Sequence, residues 1–411
     1  MKPLFISSLY HPNQVGGAEK VVLIIAESML QHGHTPVVVT MHDGPADHIA
    51  DVGGVKVRYM ALRNIYWPYA PTQRRAVSKA LWHGVDSCNL PMARAVARAL
   101  DAEKPDVVNT HNLTGFSCAV WSAVKSRGLP LVHTLHDYSL MCPRTSMYKA
   151  GRNCRGQCTT CAFYKSPAKR LSQEVDHVVG VSRFTLDRHL AAGYFRSARQ
   201  THVIHNGLPG LPSALVRQAP PGQPLQLGYV GQLTPQKGIA QLIRQMGRWR
   251  DGQCELRVAG RGAADDEAQL RAEAPENVRF LGFIDPQEVY RAIDVLVVPS
   301  LWEEPLATTV LEAYLHGVPV IVSRRGGLPE MVDEGRTGFV YEPLEADGLP
   351  LAIDRFLRDR RLVEDMRPLV LEKSRDFLAD RMQANYLRLL SEARQAAADN
   401  ELARQPGRRP A

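Results

Sequence analysis

Short apolar runs of strand length alternate with helical-period segments along most of the chain. LFISSL (4–9) is followed by an apolar-periodic segment over 18–32 and then by TPVVVT (35–40). DVVNT (106–110), PLVHTLH (130–136), DHVVGVS (176–182) and THVIHN (201–206) follow, with helical segments at 91–101, 116–127 and 182–192 among them. Runs this continuously apolar suit parallel strands covered by helices on both faces. The segment 207–224, GLPGLPSALVRQAPPGQP, has no period and is rich in Pro and Gly, so it reads as a linker. A second alternation begins at LQLGYVG (225–231) and continues through ELRVAG (255–260), VRFLGF (278–283), DVLVVPS (294–300) and VPVIVS (318–323), with helices expected at 238–249, 265–274, 286–293 and 307–316. After Gly338 the chain turns largely helical.

The pattern predicts an α/β protein of two doubly wound, Rossmann-like domains facing a central cleft. Residues 1–206 form the first, with a cysteine-bearing insert at 138–170; 207–224 link it to the second at 225–376. A helix at 377–396 is expected to pack back on the N-terminal domain, and the polar tail 397–411 is expected to be disordered. In doubly wound sheets ligands bind outside the carboxyl ends of the strands, so the loops after each strand should carry the chemistry.

Length and composition agree with this picture and narrow it. The chain has 411 residues, is 45% hydrophobic and 22% charged, and carries a formal charge of +8. No apolar run approaches the roughly 18–20 residues of a membrane span. The N-terminus MKPLFISSLYHPN lacks the apolar core of a signal peptide, so the expected location is cytoplasmic. The positive charge is concentrated. Residues 58–85 hold Arg58, Arg63, Arg74, Arg75 and Lys79 among Tyr59, Tyr66, Trp67, Tyr69 and Trp82 with no acid, and 144–170 hold seven cations and no acid. Basic residues interleaved with aromatics suit an anionic membrane surface or a phosphorylated acceptor; a solvated basic face is the alternative. No zinc finger, RNP-like sequence or helix-turn-helix signature points to nucleic acid.

Several loops are suited to holding phosphate. Gly16 and Gly17 sit just before a helix, where backbone can approach an anion, although they do not form the G-x-G-x-x-G dinucleotide fingerprint. Lys237-Gly238 opens a helix after the strand that ends at Gly231. PSLWEEPLATTVLEAYLHGVPVIVS (299–323) places Glu304 in a loop, Glu312 along the helix that follows, and the free amides near Leu306, Ala307 and Thr308 between them. Acids flanking an amide cradle fit a phosphorylated sugar nucleotide.

Taken in order, GGAEK, VIHNG, GYVGQLTPQKG, VAGRG, FLGFI and PSLWEEPLATTVLEAYLHGVPVIVSRRGGLPEMV resemble the retaining glycosyltransferases of family 4, which have the GT-B fold, over about residues 1–390. The resemblance implies transfer of a sugar from a nucleotide-diphosphate donor with retention and with no metal required for catalysis. It implies that Glu312 binds the ribose hydroxyls and that Glu304 contacts the donor sugar. Lys237 then offsets the leaving diphosphate, and the amides at Leu306, Ala307 and Thr308 hold its phosphates. Gly16 and Gly17 bring N-terminal backbone to the same phosphates, Phe283 and Ile284 flank the base, and His136 of TLHD faces the sugar. His111, at the end of an earlier strand, is a further candidate. The basic-aromatic segments of the N-terminal domain point to a saccharide acceptor, lipid-linked or polysaccharide, at the inner face of the membrane. Two departures stand out: Gln232 occupies the position where the family usually has arginine, leaving Lys237, amides and Arg261, and Ala307 stands where many members have glycine. A nucleotide-sugar epimerase of the same fold and a non-catalytic partner subunit are the alternatives.

The insert carries Cys142, Cys154, Cys158 and Cys161, spaced C-x11-C-x3-C-x2-C. The terminal C-x2-C is a zinc-ligand spacing, and four thiols would close a structural zinc site. Free thiols and a disulfide are the alternatives.

Overall fold

The computed structural model describes residues 1–13, 17–70, 72, 74–210, 222–249 and 252–404. The chain forms two compact units. Met1–Met147, Arg155–His205 and the segment from Met382 onward make the first; Tyr148–Cys154 and Asn206–Arg381 make the second. Within the expected linker, 211–221 lie outside the described residues.

The strands, in chain order, are β1 (Pro3–Ile6), β2 (Val37–His42), β3 (His48–Val52), β4 (Val55–Ala61), β5 (Val107–Thr110), β6 (Leu131–Leu135), β7 (Tyr148–Lys149), β8 (Arg152–Asn153), β9 (His177–Gly180), β10 (Gln200–Val203), β11 (Leu225–Val230), β12 (Cys254–Ala259), β13 (Val278–Gly282), β14 (Val295–Val298), β15 (Val320–Ser323) and β16 (Gly338–Tyr341). The first unit's sheet runs β10-β9-β6-β5-β1-β2-β4-β3. All its pairs are parallel except β3–β4 at the edge. The second unit's sheet runs β13-β12-β11-β14-β15-β16, all parallel. Numbered from its own first strand, that is 3-2-1-4-5-6, the order of dinucleotide-binding folds. Each sheet reverses direction beside its first strand, at β1/β5 and at β11/β14, and these reversals define where a crevice opens.

The central strands β1, β5, β6, β14 and β15 are buried at every position, which accounts for their unbroken apolar runs. In the first unit Phe5, Val38, Val57 and Val132 pack in one core cluster with Val22 and Ile25 of the helix Gly17–Gln31. The same cluster contains Met382, Tyr386, Leu389 and Leu390 of the C-terminal helix Ala379–Arg404. Tyr386 Oη lies 3.2 Å from Thr134 Oγ1 on β6. That helix continues to Arg404, past residue 397, where the polar composition led to an expectation of disorder. The edge hairpin β3–β4 and strand β16 are additions to the expected elements. No helix among the described residues is long and apolar enough to cross a membrane.

Because Leu390 is fully buried within the first unit's core, Leu390→Ala should cost about 2–5 kcal/mol in a denaturant melt. A loss below roughly 0.5 kcal/mol, the range of surface substitutions, would show that the C-terminal helix does not contribute to that core.

Candidate active site

In the second unit the candidates follow the two strands at the sheet's reversal. After β11 the chain makes a short 3-10 turn, Pro235–Lys237, and leaves it through Gly238 at φ +74°. A Cβ at Gly238 would sit 1.8 Å from the carbonyl oxygen of Pro299, so glycine is what lets the loops after β11 and β14 touch. That contact brings Lys237 to Glu304, with Nζ 2.5 Å from Oε1. The Ser300 hydroxyl donates to the same carboxylate oxygen at 2.7 Å. Glu304 is only 4% exposed, and an acid that buried requires charge and hydrogen-bond partners. The Lys237 ammonium also lies 5.3 Å from the centre of the Trp302 ring, a cation–π distance. Behind Glu304, Gly327 N–H donates to its carbonyl at 2.7 Å. Gly326, at φ +59°, approaches so closely that a Cβ would lie 2.0 Å from that carbonyl oxygen.

The chain then passes through buried Leu306 and Ala307 into the helix Thr308–Leu315. No side chain caps this helix; of its first-turn amides Val310 N–H bonds the Ala307 carbonyl, and a helix N-terminus of this kind suits an anionic acceptor. Ala307 has φ −92°, which an alanine adopts without strain. Glu312, further along the helix, accepts a 2.7 Å hydrogen bond from the Tyr290 hydroxyl. Burial, and then the Glu312 carboxylate, raise Tyr290 far above the ordinary phenol range, so it stays a donor. The Gln232 side chain is exposed, while its carbonyl accepts from Tyr229 Oη at 2.6 Å. Phe283 is 70% exposed with the Arg261 guanidinium 4.5 Å from its ring centre, and Ile284 is half-buried beside it.

In the first unit Gly16 lies outside the described residues, and Gly17 begins the helix Gly17–Gln31. His111 follows β5 and His136 follows β6; His111 Nδ1 and His136 Nε2 are 2.9 Å apart with the rings stacked. Burial lowers His136 to about 4 and holds His111 well below its ordinary value, with His136 adding to the effect. Both rings are therefore neutral at pH 7, one nitrogen donating to the other. Burial raises the neighbouring Asp137, against the opposing effect of hydrogen bonds from Ser139.

The structure thus brings together Lys237 and Glu304, which the sequence marked, and adds Ser300, Trp302, Gly326 and Gly327. These additions lie within the quoted motif 299–332, but their roles come from a contact between loops that spacing alone does not display.

The cysteine expectation needs correction. None of the seven cysteines is joined in a disulfide, and Cys142 Sγ and Cys161 Sγ are 3.7 Å apart. Cys154 belongs to the hairpin segment of the second unit, whereas Cys142, Cys158 and Cys161 belong to the first. Among the described residues no group of three or more His, Cys, Asp or Glu is arranged to hold a metal, so the four-thiol zinc site is not assembled. Burial, followed by the adjoining Cys158 and Cys142 thiols, pushes the Cys161 thiol up to about 12.

Two family models match the chain: Glycosyltransferase Family 4 over residues 15–209 and Glycosyl transferases group 1 over residues 215–369. The chain is 32% identical over 333 residues to an uncharacterized 42.6 kDa protein in the cps region of Klebsiella pneumoniae, covering 80% of this chain and 87% of that one. It is 25% identical over 373 residues to a glycogen synthase of Mycobacterium tuberculosis, covering 87% and 86%. Among solved structures, sucrose-phosphate synthase from Thermosynechococcus elongatus superposes with a TM-score of 0.75 at 21% identity, covering 96% of this chain and 99% of that one. Anabaena Alr3699/HepE, solved in complex with UDP and glucose, gives a TM-score of 0.68 at 21% identity, covering 95% and 99%. At these identities the two structures show a shared fold.

The buried histidines set a pH dependence. His136 and His189 fall to about 4 when folded against an ordinary 6.5, so between those values the unfolded chain binds more protons. Stability should be full above pH 6.5 and decline as pH falls towards 4. Thermal melts at pH 7 and pH 4.5 check this, and an imidazole titrating near 6.5 for His136 by NMR would contradict it.

Proposed function

The chain belongs to the family 4 glycosyltransferases, with the GT-B fold, and on that premise we propose that it moves a sugar from a nucleotide-diphosphate donor to a saccharide acceptor with retention at the anomeric carbon. The observation that carries the reading is the Lys237–Ser300–Glu304 group at the crevice of a 3-2-1-4-5-6 sheet, beside an uncapped helix. In this reading Lys237 and the amides at Leu306, Ala307 and Thr308 receive the diphosphate. Glu312 takes the ribose hydroxyls, Glu304 faces the donor sugar, and Phe283 with Ile284 flanks the base. The bond from the anomeric carbon to the diphosphate breaks while the acceptor oxygen enters on the same face. The departing phosphate takes the acceptor's proton, so no strong protein base is needed, and fixed dipoles and Lys237 stabilise the charge that develops. The solved relative holding UDP and glucose supports a nucleotide-sugar co-substrate. The relative in a cps region supports an acceptor in cell-envelope or exopolysaccharide synthesis.

An acceptor presented at the cytoplasmic face of an anionic membrane is supported by one face of the first unit. The helix Ala76–Ser87 buries only Trp82 and Asp86 and turns Val77, Leu81 and Val85 outwards, 71%, 59% and 36% exposed. It packs against the helix Thr159–Leu171, which exposes Phe163 at 75%. Arg74, Arg75, Lys79, Lys169 and Arg170 are exposed on the same two segments, where residues 58–85 and 144–170 contain no acid. Apolar side chains among cations suit insertion at the headgroup level of an anionic bilayer.

A panel of UDP-, GDP- and ADP-hexoses, with and without a lipid extract, tests the reaction. Acceptor-dependent nucleotide release is expected; isomerised donor would make the protein an epimerase, and binding without turnover a partner subunit. Lys237→Ala and Glu304→Ala should each lower turnover by roughly 100-fold or more, and a near wild-type rate for Lys237→Ala would remove the phosphate assignment. In sedimentation at low salt the protein should bind vesicles containing phosphatidylglycerol, and Leu81→Asp with Phe163→Asp should weaken binding by roughly tenfold. Absence of wild-type binding would argue for a soluble acceptor.

A further inference from the structure

Resting on the reading of Glu304 as the carboxylate that faces the donor sugar, we propose that Asn153 is a positioning residue that sets this carboxylate from the second strand of the inserted hairpin. Strands β7 and β8 pair antiparallel, Tyr148 with Asn153 and Lys149 with Arg152. Ala150 and Gly151 between them have φ of +50° and +77°, the two left-handed residues of a tight hairpin turn. The segment Tyr148–Cys154 belongs to the second unit, although chain on either side of it belongs to the first.

At the end of the hairpin the Asn153 side chain reads the backbone of the loop before Glu304. Its Nδ2 donates to the Leu301 carbonyl at 2.7 Å, and its Oδ1 accepts from the Glu303 N–H at 3.0 Å. The partners fix the orientation of the amide, since a carbonyl demands the NH2 and an N–H demands the oxygen. One planar amide thus does for this loop what a neighbouring strand does for a strand. The other holds come from nearby in the second unit. Leu301 and Trp302 N–H donate to the Gln236 carbonyl, Gly326 N–H donates to the Glu303 carboxylate, and Gly327 N–H donates to the Glu304 carbonyl. Asn153 is set apart by its separation of 148 residues from Leu301. The clamp closes on Leu301 and Glu303, within three residues of the carboxylate that Lys237 and Ser300 hold. A shift of that backbone moves Glu304 relative to whatever Lys237 binds, and a misplacement of about 1 Å can cost on the order of 100-fold in rate.

Both functions of the amide are required. Aspartate keeps an acceptor for Glu303 N–H but turns a second oxygen on the Leu301 carbonyl. Alanine leaves both backbone groups to water.

The test uses the full chain, the nucleotide sugar turned over by the wild type in the donor panel, and UDP, GDP or ADP to match. Asn153→Ala should lower kcat by about 10- to 100-fold, Asn153→Asp by at least as much, with affinity for the matching nucleoside diphosphate within about twofold. Because the effect runs through Glu304, Asn153→Ala should cost nothing further in a Glu304→Ala background. Additive losses would mean a general structural role and would overturn the proposal. If Glu304→Ala is inactive while Asn153→Ala keeps the wild-type rate, the proposal fails and the reading of Glu304 stands; if Glu304→Ala also keeps the wild-type rate, the reading itself fails. Independently of turnover, hydrogen exchange at the Glu303 amide should quicken by roughly tenfold or more in Asn153→Ala, and unchanged exchange would overturn the clamp.

Discussion

A carboxylate almost wholly removed from water has to be compensated, and the second unit is arranged around one. Glu304 is buried at a strand end, where the Lys237 ammonium and Ser300 hydroxyl converge on one of its oxygens. Leaving that acid unpaired would cost several kcal/mol, so the loops after β11 and β14 are obliged to meet. Gly238 makes the meeting possible by admitting the Pro299 carbonyl where any side chain would collide. Gly326 does the same on the opposite side, where the loop after β15 closes over the Glu304 backbone. Three loops from adjacent strands are thereby locked to one side chain, and a site of fixed geometry follows from a requirement of charge burial.

The sheet order supplies the place. With β11 and β14 as neighbours leading to opposite halves of the sheet, a crevice opens at their carboxyl ends, and the loops that follow them line it. The first unit repeats the device at β1 and β5, and the residues after its strands include His111 and His136. Burial keeps those imidazoles uncharged at neutral pH. They can orient or hydrogen-bond a ligand there without adding positive charge. In the second unit, by contrast, the polar groups at the crevice are ionised or dipolar.

The two-domain α/β organisation was legible because parallel strands buried on both faces leave unbroken apolar runs, as β1, β14 and β15 do. Lys237 and Glu304 were legible because they sit in a distinctive ordered set of motifs. Other features were hidden for identifiable reasons. The edge strand β3 is largely exposed, so it has no apolar signature. The helix Ala76–Ser87 turns apolar residues to the outside, which defeats the rule that the apolar face marks the core. The last turns of the C-terminal helix are polar and read as tail. The thiols at 142–161 matched a ligand spacing in sequence, but spacing does not fix where the sulfurs sit, and among the described residues no group of three or more such ligands is gathered. Asn153 could not be found from sequence, because its meaning lies in two backbone groups about 150 residues away.

The glutamine at position 232 follows from the same accounting of charge. Lys237 is already ion-paired with Glu304, so this pair adds little net positive charge to the crevice. The diphosphate of the proposed donor would be met by the lysine's remaining donors, by the helix amides from Thr308 onward, and by any cation within reach. Gln232 contributes its carbonyl to Tyr229 and no charge. Arg261, on the loop after β12, lies with its guanidinium on the exposed ring of Phe283 and forms no ion pair with an acid among the described residues. Stacking leaves the edge N–H groups of a guanidinium available to an anion, which a salt bridge would occupy. The positive charge given up at position 232 is therefore recoverable from the loop after the neighbouring strand β12, and the aromatic surface that holds Arg261 is the one proposed to flank the base.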